Sequence, residues 1–131
     1  MTYPLVALGG ALGSVLRFWL GSIIGQKAGA MFWGTLAVNL TGCFVIGLAS
    51  SFEKGGPSDF TTYFVMIGVL GGFTTFSAFS LQTLELFQAG NTGLAALNVA
   101  LSMVLCLLGV WLGHLLGAQL ARSFFFAILP P

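Results

Sequence analysis

Long apolar runs separated by short polar segments dominate this chain. Charged residues are absent from 1–16, 28–52 and 60–84 and, if His114 is neutral, from 86–121. A membrane-crossing helix needs roughly 20 predominantly apolar residues, so these runs predict four spans. Their approximate limits are 4–24, 31–51, 60–87 and 94–120. The runs are too long for barrel strands and lack period-two alternation, so we expect an all-α membrane protein.

Composition supports a lipid environment. Hydrophobic residues make up 57% of the 131 residues and charged residues only 5%, whereas a soluble domain carries about 25% charged residues. The net charge of +1 argues against a nucleic-acid partner, which would need a basic patch. The first segment, "MTYPLVALGG", lacks the basic start of a cleaved signal peptide. We therefore interpret the first apolar run as a permanent span of a single transmembrane domain, 1–131.

The few charged residues give almost no preferred orientation. With four spans, both termini and the second loop share one side of the membrane, which holds Lys54 and Arg122. The opposite side holds Lys27 and, if it reaches the nearer surface, Arg17. Orientation follows the asymmetry of Lys and Arg, and here the count is even. The sequence leaves two alternatives open: insertion both ways with pairing of inverted copies, or one orientation favoured by a small margin.

Small residues recur at four-residue spacing. They are Gly9 and Gly13, Gly21 and Gly25, Gly68 and Gly72, and the run Gly109, Gly113 and Gly117. Such ridges let helices approach closely, either within one chain or between copies. Because four spans alone enclose little space for a solute pathway, we expect a homo-oligomer with the fourth span as a candidate interface.

Polar side chains within apolar spans are costly and often functional. Asn39 lies in the middle of span two, where its amide either bonds a neighbouring helix or contacts a ligand. Arg17 lies well inside span one and either extends to the interface or holds positive potential at the mouth of an anion path. Cys43 and Cys106 have no CxxC neighbour, and we interpret them as small packing residues. The sequence has a single histidine, His114, which argues against a histidine-based metal site or catalytic triad, so enzymatic activity is not expected.

The least ordinary stretch is "GGFTTFSAFS", residues 71–80. Its glycine pair predicts that the third helix is broken near its middle, because non-helical backbone at membrane depth persists only where protein or a polar cavity receives its carbonyls. Freed carbonyls could hold a cation such as Na⁺, as in the broken helices of transporters. The hydroxyls of Thr74, Thr75, Ser77 and Ser80 add donors, although they could instead bond their own helix.

Phe76 and Phe79 lie in the same stretch and are three apart, so they share a helical face. They either pack against neighbouring helices or present ring edges to a solute. Because the edge of a phenyl ring is electropositive, a ring placed edge-on can meet a small anion without neutralising it.

Taken together, these motifs resemble the Fluc fluoride channel family, also called CrcB, over essentially the whole chain. The matching segments, one from each span, are "GGALGSVLRF", "GTLAVNLTGCFVIG", "GGFTTFSAFS" and "NVALSMVLCLLGVWLG". The resemblance implies an antiparallel dual-topology homodimer in the plasma (inner) membrane, with two pores that export toxic cytosolic fluoride passively. It also implies a central structural sodium ion.

The resemblance further implies roles for individual pore residues. Phe76 and Phe79 are expected to line each pore with their ring edges, beside Asn39 as a hydrogen-bond donor to fluoride. Ser80 and Ser102 are expected to belong to a polar track along the pore.

Two further sites follow from the same resemblance. Gly71 and Thr74 are expected to give backbone carbonyls to sodium on the dimer axis, and Arg17 is expected near the aqueous vestibule. The family often carries a glutamate where this chain has Gln82, with its acid at Glu85 instead. We therefore expect conduction without a carboxylate at that position.

Two alternatives fit the same class of protein. A small proton-coupled drug or guanidinium exporter is also a four-helix dual-topology dimer, but it would need a membrane-buried glutamate in span one, and 4–24 contains none. A non-transporting membrane scaffold subunit would show no ion flux when purified alone.

Overall fold

The computed structural model describes residues 2–52 and 58–128, with side chains up to residue 123. Its helices are α1 (Thr2–Ala28), α2 (Met31–Ser50), α3 (π-helical Phe60–Leu70 continued by the α-helical turn Gly71–Phe73), α4 (Phe76–Gln88) and α5 (Thr92–Ile128). All regular structure within the described ranges is helical. Lys54, one of the residues in the orientation count, lies outside the described residues.

Four stretches of the chain are long and apolar enough to cross a membrane. They are α1, α2, the combined α3 and α4 stretch Phe60–Gln88, and Thr92–Ser123 of α5. Large apolar side chains cover the outer surface, and Phe18, for example, is 77% exposed. Water disfavours so large an apolar surface, whereas lipid accommodates it. The predicted all-α class with four long apolar helices is confirmed, and the chain is a multi-pass membrane protein.

Tight turns and parallel pairs set the helix arrangement. Gly29 (φ 76°) lies between α1 and α2, and Gly90 (φ 78°) lies between α4 and α5. Both have the left-handed backbone that glycine adopts without a steric penalty. The two most extensive interfaces join α2 to α5 and α1 to α3. Contacts advance in the same direction along both members of each pair, so these pairs are parallel.

Glycines bring the backbones of these pairs into direct contact. Gly13 on α1 lies against the backbone of α3, and Gly113 on α5 lies against the carbonyl oxygen of Phe44 on α2. Gly109 and Gly117 also contact α2. The glycine run of the fourth span therefore serves packing within one chain, the other alternative left open by the sequence. It gives no support for a subunit interface on that span.

Gly13 and Gly10 provide a matched test of this packing. A Cβ atom at Gly13 would overlap the carbonyl oxygen of Val69 and lie 2.9 Å from the amide nitrogen of Phe73, whereas a Cβ atom at Gly10 would meet nothing within 4 Å. We expect Gly13→Ala to destabilise the fold by about 1–3 kcal/mol or more. Gly10→Ala should change stability by less than about 1 kcal/mol. Thermal melting in detergent, followed by circular dichroism, measures both; equal midpoints would contradict the packing.

Candidate functional site

The helical hydrogen-bond ladder of the third span is interrupted between α3 and α4. Thr74 (φ −83°, ψ 154°) and Thr75 (φ −150°, ψ 119°) have extended backbone, while Gly71 (φ −65°, ψ −38°) is helical. The glycine pair therefore does not itself unwind, contrary to the reasoning from sequence. Gly72 instead allows contact with the backbone of Gly10 on α1, and the two threonines form the non-helical segment.

Asn39 on α2 pairs with the backbone of this segment. The N–H of Thr75 donates to Asn39 Oδ1 at 2.7 Å, and Asn39 Nδ2 donates to the Thr75 carbonyl oxygen at 2.9 Å. The side-chain amide thus satisfies backbone groups that would otherwise be exposed at membrane depth. Of the two roles that the sequence allowed for Asn39, these bonds are the first, a hydrogen bond to a neighbouring helix. Since an amide nitrogen carries two hydrogens, one N–H of Asn39 remains for another acceptor.

The side-chain hydroxyl of Thr75 caps the N-terminus of α4. Its Oγ1 accepts a hydrogen bond from the N–H of Ala78 at 3.2 Å and lies 3.1 Å from Ser77 Oγ, which is the arrangement of an N-cap. In a continuous α-helix, the N–H of Ala78 would bond the Thr74 carbonyl, and the N–H of Thr75 would bond the Gly71 carbonyl. Both donors are diverted to side chains, so these two carbonyls lose their usual helical partners.

Two other hydroxyls of residues 71–80 bond to their own chain. Thr74 Oγ1 donates to the Leu70 carbonyl at 3.0 Å, and Ser80 Oγ donates to the Phe76 carbonyl at 2.9 Å. For these two residues the hydroxyl bonds its own helix, which was one of the two alternatives that the sequence allowed. A hydroxyl has one O–H to donate, so neither residue offers a donor to an anion in this conformation.

The rings of Phe76 and Phe79 lie together at the start of α4. Their centroids are 5.3 Å apart and their planes are tilted by 51°. Phe79 is buried, with 6% of its surface exposed, whereas Phe76 is 70% exposed. One ring is therefore inside the chain, and the other is open to its surroundings.

A cavity of about 270 Å³ brings most of these groups together. Its lining residues are Asn39, Cys43, Thr74, Thr75, Phe76, Phe79, Ser102, Met103, Cys106 and Leu107. None of them is charged. Five residues given a role by the resemblance therefore meet at one place, which we call the ring cavity. Gly71, Arg17 and Ser80 do not line it.

Arg17 lines a neighbouring cavity of about 220 Å³, and Thr75 is in the wall of both. Gln82 lines this second cavity and also a third, of about 180 Å³, that contains Glu85. The Oε1 atom of Gln82 is buried and has no hydrogen-bond partner within the described part of the chain. The first and second cavities share Thr75, and the second and third share Met31 and Gln82, so the three cavities lie next to one another.

A buried hydrogen-bonded series of side chains joins α4 to α5, and Ser102 is the one member to which the sequence analysis gave a site role. Asn98 is 1% exposed, and its Nδ2 donates to Thr83 Oγ1 at 2.8 Å. Thr83 Oγ1 in turn donates to the Phe79 carbonyl at 2.7 Å, while Ser102 Oγ lies 3.5 Å from Asn98 Oδ1. The available signal was the four-residue spacing of Asn98 and Ser102 in an otherwise apolar span. These hydrogen bonds hold the helical turn that carries the Phe79 ring against α5.

Comparison with known proteins bears directly on this site. A family model described as "CrcB-like protein, Camphor Resistance (CrcB)" matches residues 4–114. A protein of Rhodospirillum rubrum named "Fluoride-specific ion channel FluC" is 52% identical over 94% of this chain and 98% of its own length. Proteins of the same name from Opitutus terrae (53% identical; 86% and 89% covered) and Thermus thermophilus (48%; 90% and 96%) are similar in the same way. The chain therefore belongs to the CrcB-like family, whose named relatives are ion channels and not enzymes.

Proposed function

We propose that the chain forms a fluoride-selective passive channel that exports toxic cytosolic fluoride across the plasma (inner) membrane. The observation that carries this proposal is the ring cavity, where an amide, an interrupted helix and two phenyl rings meet without a charged side chain. Relatives named as fluoride-specific channels supply the identity of the ion. The spans have no acidic residue near their middle, so passive electrodiffusion is the simplest mechanism.

Partial positive charges suit fluoride better than full ones. Fluoride is small and strongly hydrated, so donors must replace its water yet hold it weakly enough for release. The second N–H of Asn39 and the electropositive edges of Phe76 and Phe79 are such donors. The N-terminus of α4, capped by Thr75, adds the positive end of a helix dipole. Chloride is larger, and a narrow aromatic constriction would exclude it.

Arg17 supplies positive charge at the approach to the ring cavity. It lines the space that shares Thr75 with that cavity. A cation in a cleft raises the local concentration of anions, so this space would serve as an aqueous vestibule. Ser102 lines the ring cavity itself. Ser80 would join the polar track after its hydroxyl turns away from the Phe76 carbonyl.

A second, inverted copy would complete the channel. Phe76, Ser77 and Ser80 are all exposed on a single chain. Hydroxyls beside an interruption of the helix are unfavourable against lipid, so this face favours cover by protein. A homodimer of antiparallel copies would cover it and give two equivalent pores with rings from both copies. The even distribution of Lys and Arg permits insertion both ways.

Variants with a fixed membrane orientation test whether two inverted copies pair. Added lysines keep the loop that carries them in the cytoplasm, so Gln88→Lys with Asn91→Lys and Thr2→Lys with Gln119→Lys should force opposite orientations. We expect neither variant alone to protect fluoride-sensitive cells, and co-expression of the two to restore protection. Full protection by either fixed-orientation variant alone would contradict dual topology.

Sodium is the proposed structural cation at the dimer axis. The helical donors of the Gly71 and Thr74 carbonyls are bonded to Asn39 Oδ1 and Thr75 Oγ1 instead, which makes these carbonyl oxygens available. Carbonyls of interrupted membrane helices are suitable sodium ligands, so the residues present fit the ion. Gly71 and Thr74 would hold it, and sodium, when bound, would supply positive charge between the two copies.

Fluoride efflux from liposomes tests the function. The purified protein is reconstituted alone, valinomycin clamps the membrane potential, and a fluoride electrode reads the release, with chloride measured in parallel. We expect rapid fluoride release and little chloride release without a proton gradient. No fluoride release from the folded protein would contradict the channel. Guanidinium flux driven by a pH gradient would instead support the proton-coupled exporter, although α1 contains no acidic residue.

A further inference from the structure

The two cysteines of the chain come together in the wall of the ring cavity. Cys43 on α2 and Cys106 on α5 are both free and partly exposed, and both line that cavity. The interpretation of these residues as small packing groups therefore leaves out a property that only the fold reveals, a pair of sulfur atoms facing one space.

The packing of α2 on α5 explains why the thiols meet. Gly47 lies directly on the backbone of Val110, and Cys43 and Cys106 each precede these residues by one helical turn. One turn further along, Ser51 Oγ donates to the His114 carbonyl at 2.8 Å. Because the helices are parallel and the same offset recurs at each turn, the glycine contact holds the two cysteine backbones near one another.

We propose that Cys43 and Cys106 form a two-thiol site for a soft divalent metal ion of the Hg²⁺ class, and that its occupation blocks the ring cavity. The blocking role rests on the proposed channel function, whereas metal binding does not. Thiolate sulfur is the ligand that soft metals prefer, and the thiolate is the binding form. Each S–H loses its proton to solvent, two S–Hg bonds form, and no electron is transferred.

Charge selects the class of metal. Two thiolates and one divalent ion form a neutral unit, which the apolar wall tolerates better than a charged one. At the cysteine pair itself a hard cation is disfavoured, since thiolate sulfur is a soft ligand and the ring cavity has no carboxylate in its lining. The bound ion would occupy space beside Phe76 and Phe79 in a cavity of only about 270 Å³, so passage of an anion would be obstructed.

Mercury binding is measured first, without any flux assay. The full-length protein in detergent and chloride-free nitrate buffer is titrated with Hg²⁺, and the ultraviolet thiolate-to-mercury charge-transfer band is recorded. We expect one Hg²⁺ per chain and loss of both free thiols. Cys43→Ser and Cys106→Ser should each bind about 100-fold more weakly, because joint engagement by two linked ligands is lost. Binding by either single variant as tight as that of the unmodified chain would overturn the two-thiol site.

Blocking is then measured in fluoride-loaded liposomes. The efflux rate of each protein in Hg²⁺ is divided by its own rate without metal. A change in basal conduction caused by a substitution therefore does not affect the comparison. We expect the unmodified chain to be blocked and then released by a dithiol chelator, and the double variant Cys43→Ser/Cys106→Ser to be insensitive. Block of the double variant, or stoichiometric binding without block, would overturn the blocking role. If the protein conducts no fluoride at all, the channel proposal fails and the absorbance titration alone decides the metal site.

Discussion

Phe79→Ile is expected to slow fluoride efflux from liposomes by about tenfold or more. The Phe79 ring is buried and lines the ring cavity, where its electropositive edge would replace water around the anion. Isoleucine fills much of the same space but has no such edge. A ring quadrupole contributes about 2 kcal/mol to holding a desolvated ion, and about 1.4 kcal/mol corresponds to a factor of ten.

The matched control for this variant lies on the same helix. Phe87 on α4 is 61% exposed and does not line the ring cavity. Phe87→Ile should therefore keep the efflux rate within about twofold of the unmodified chain, as expected for a surface substitution worth less than about 0.5 kcal/mol. Thermal melting in detergent shows whether Phe79→Ile is folded. A folded Phe79→Ile protein that conducts at the original rate would remove this ring from the ion path.

The apolar runs were sufficient to predict the all-α class and four long apolar helices, because the length and the polarity of each run are local properties. They could not predict which residues of "GGFTTFSAFS" leave the helix. A glycine pair has the same appearance in sequence whether it unwinds or permits close contact, and Gly72 does the second, against Gly10. The extended residues, Thr74 and Thr75, are held by Asn39 from another span, a partner that no local pattern reveals.

In the candidate site, too, the features set by local spacing could be predicted and the features set by packing between helices could not. The three-residue spacing of Phe76 and Phe79 placed both rings near one another, since helical geometry alone decides it. The meeting of Cys43 with Cys106 depends on the register between α2 and α5, which is set by the contact of Gly47 with Val110. Spacing along the chain contains no information about that register, so the cysteines could be assigned only to packing.

Asn39→Leu and Asn39→Asp are expected to separate the two roles of this amide. Leucine would leave the N–H and carbonyl of Thr75 without their partner, at a cost of about 1–3 kcal/mol for each group. We therefore expect Asn39→Leu to lower the melting temperature markedly and to abolish efflux. Aspartic acid in its protonated form has one O–H and one carbonyl oxygen, so it can reproduce both bonds to Thr75. Asn39→Asp should melt near the unmodified chain at mildly acidic pH.

Conduction by Asn39→Asp decides whether the second N–H of the amide contacts fluoride. The protonated acid has no second donor, so efflux should fall by about tenfold or more even where the fold is intact, since a hydrogen bond to a charged group is worth about 1.5–3 kcal/mol. Raising the pH ionises the acid and should slow efflux further, because a carboxylate repels the anion. Thr41→Val is the control on the same helix, since Thr41 Oγ1 donates to the Ala37 carbonyl of its own helix and, among the described residues, to no other group. Protein-free vesicles correct for leakage of hydrogen fluoride. If folded Asn39→Asp conducts at the original rate in mild acid, Asn39 acts only as a brace for the interrupted helix.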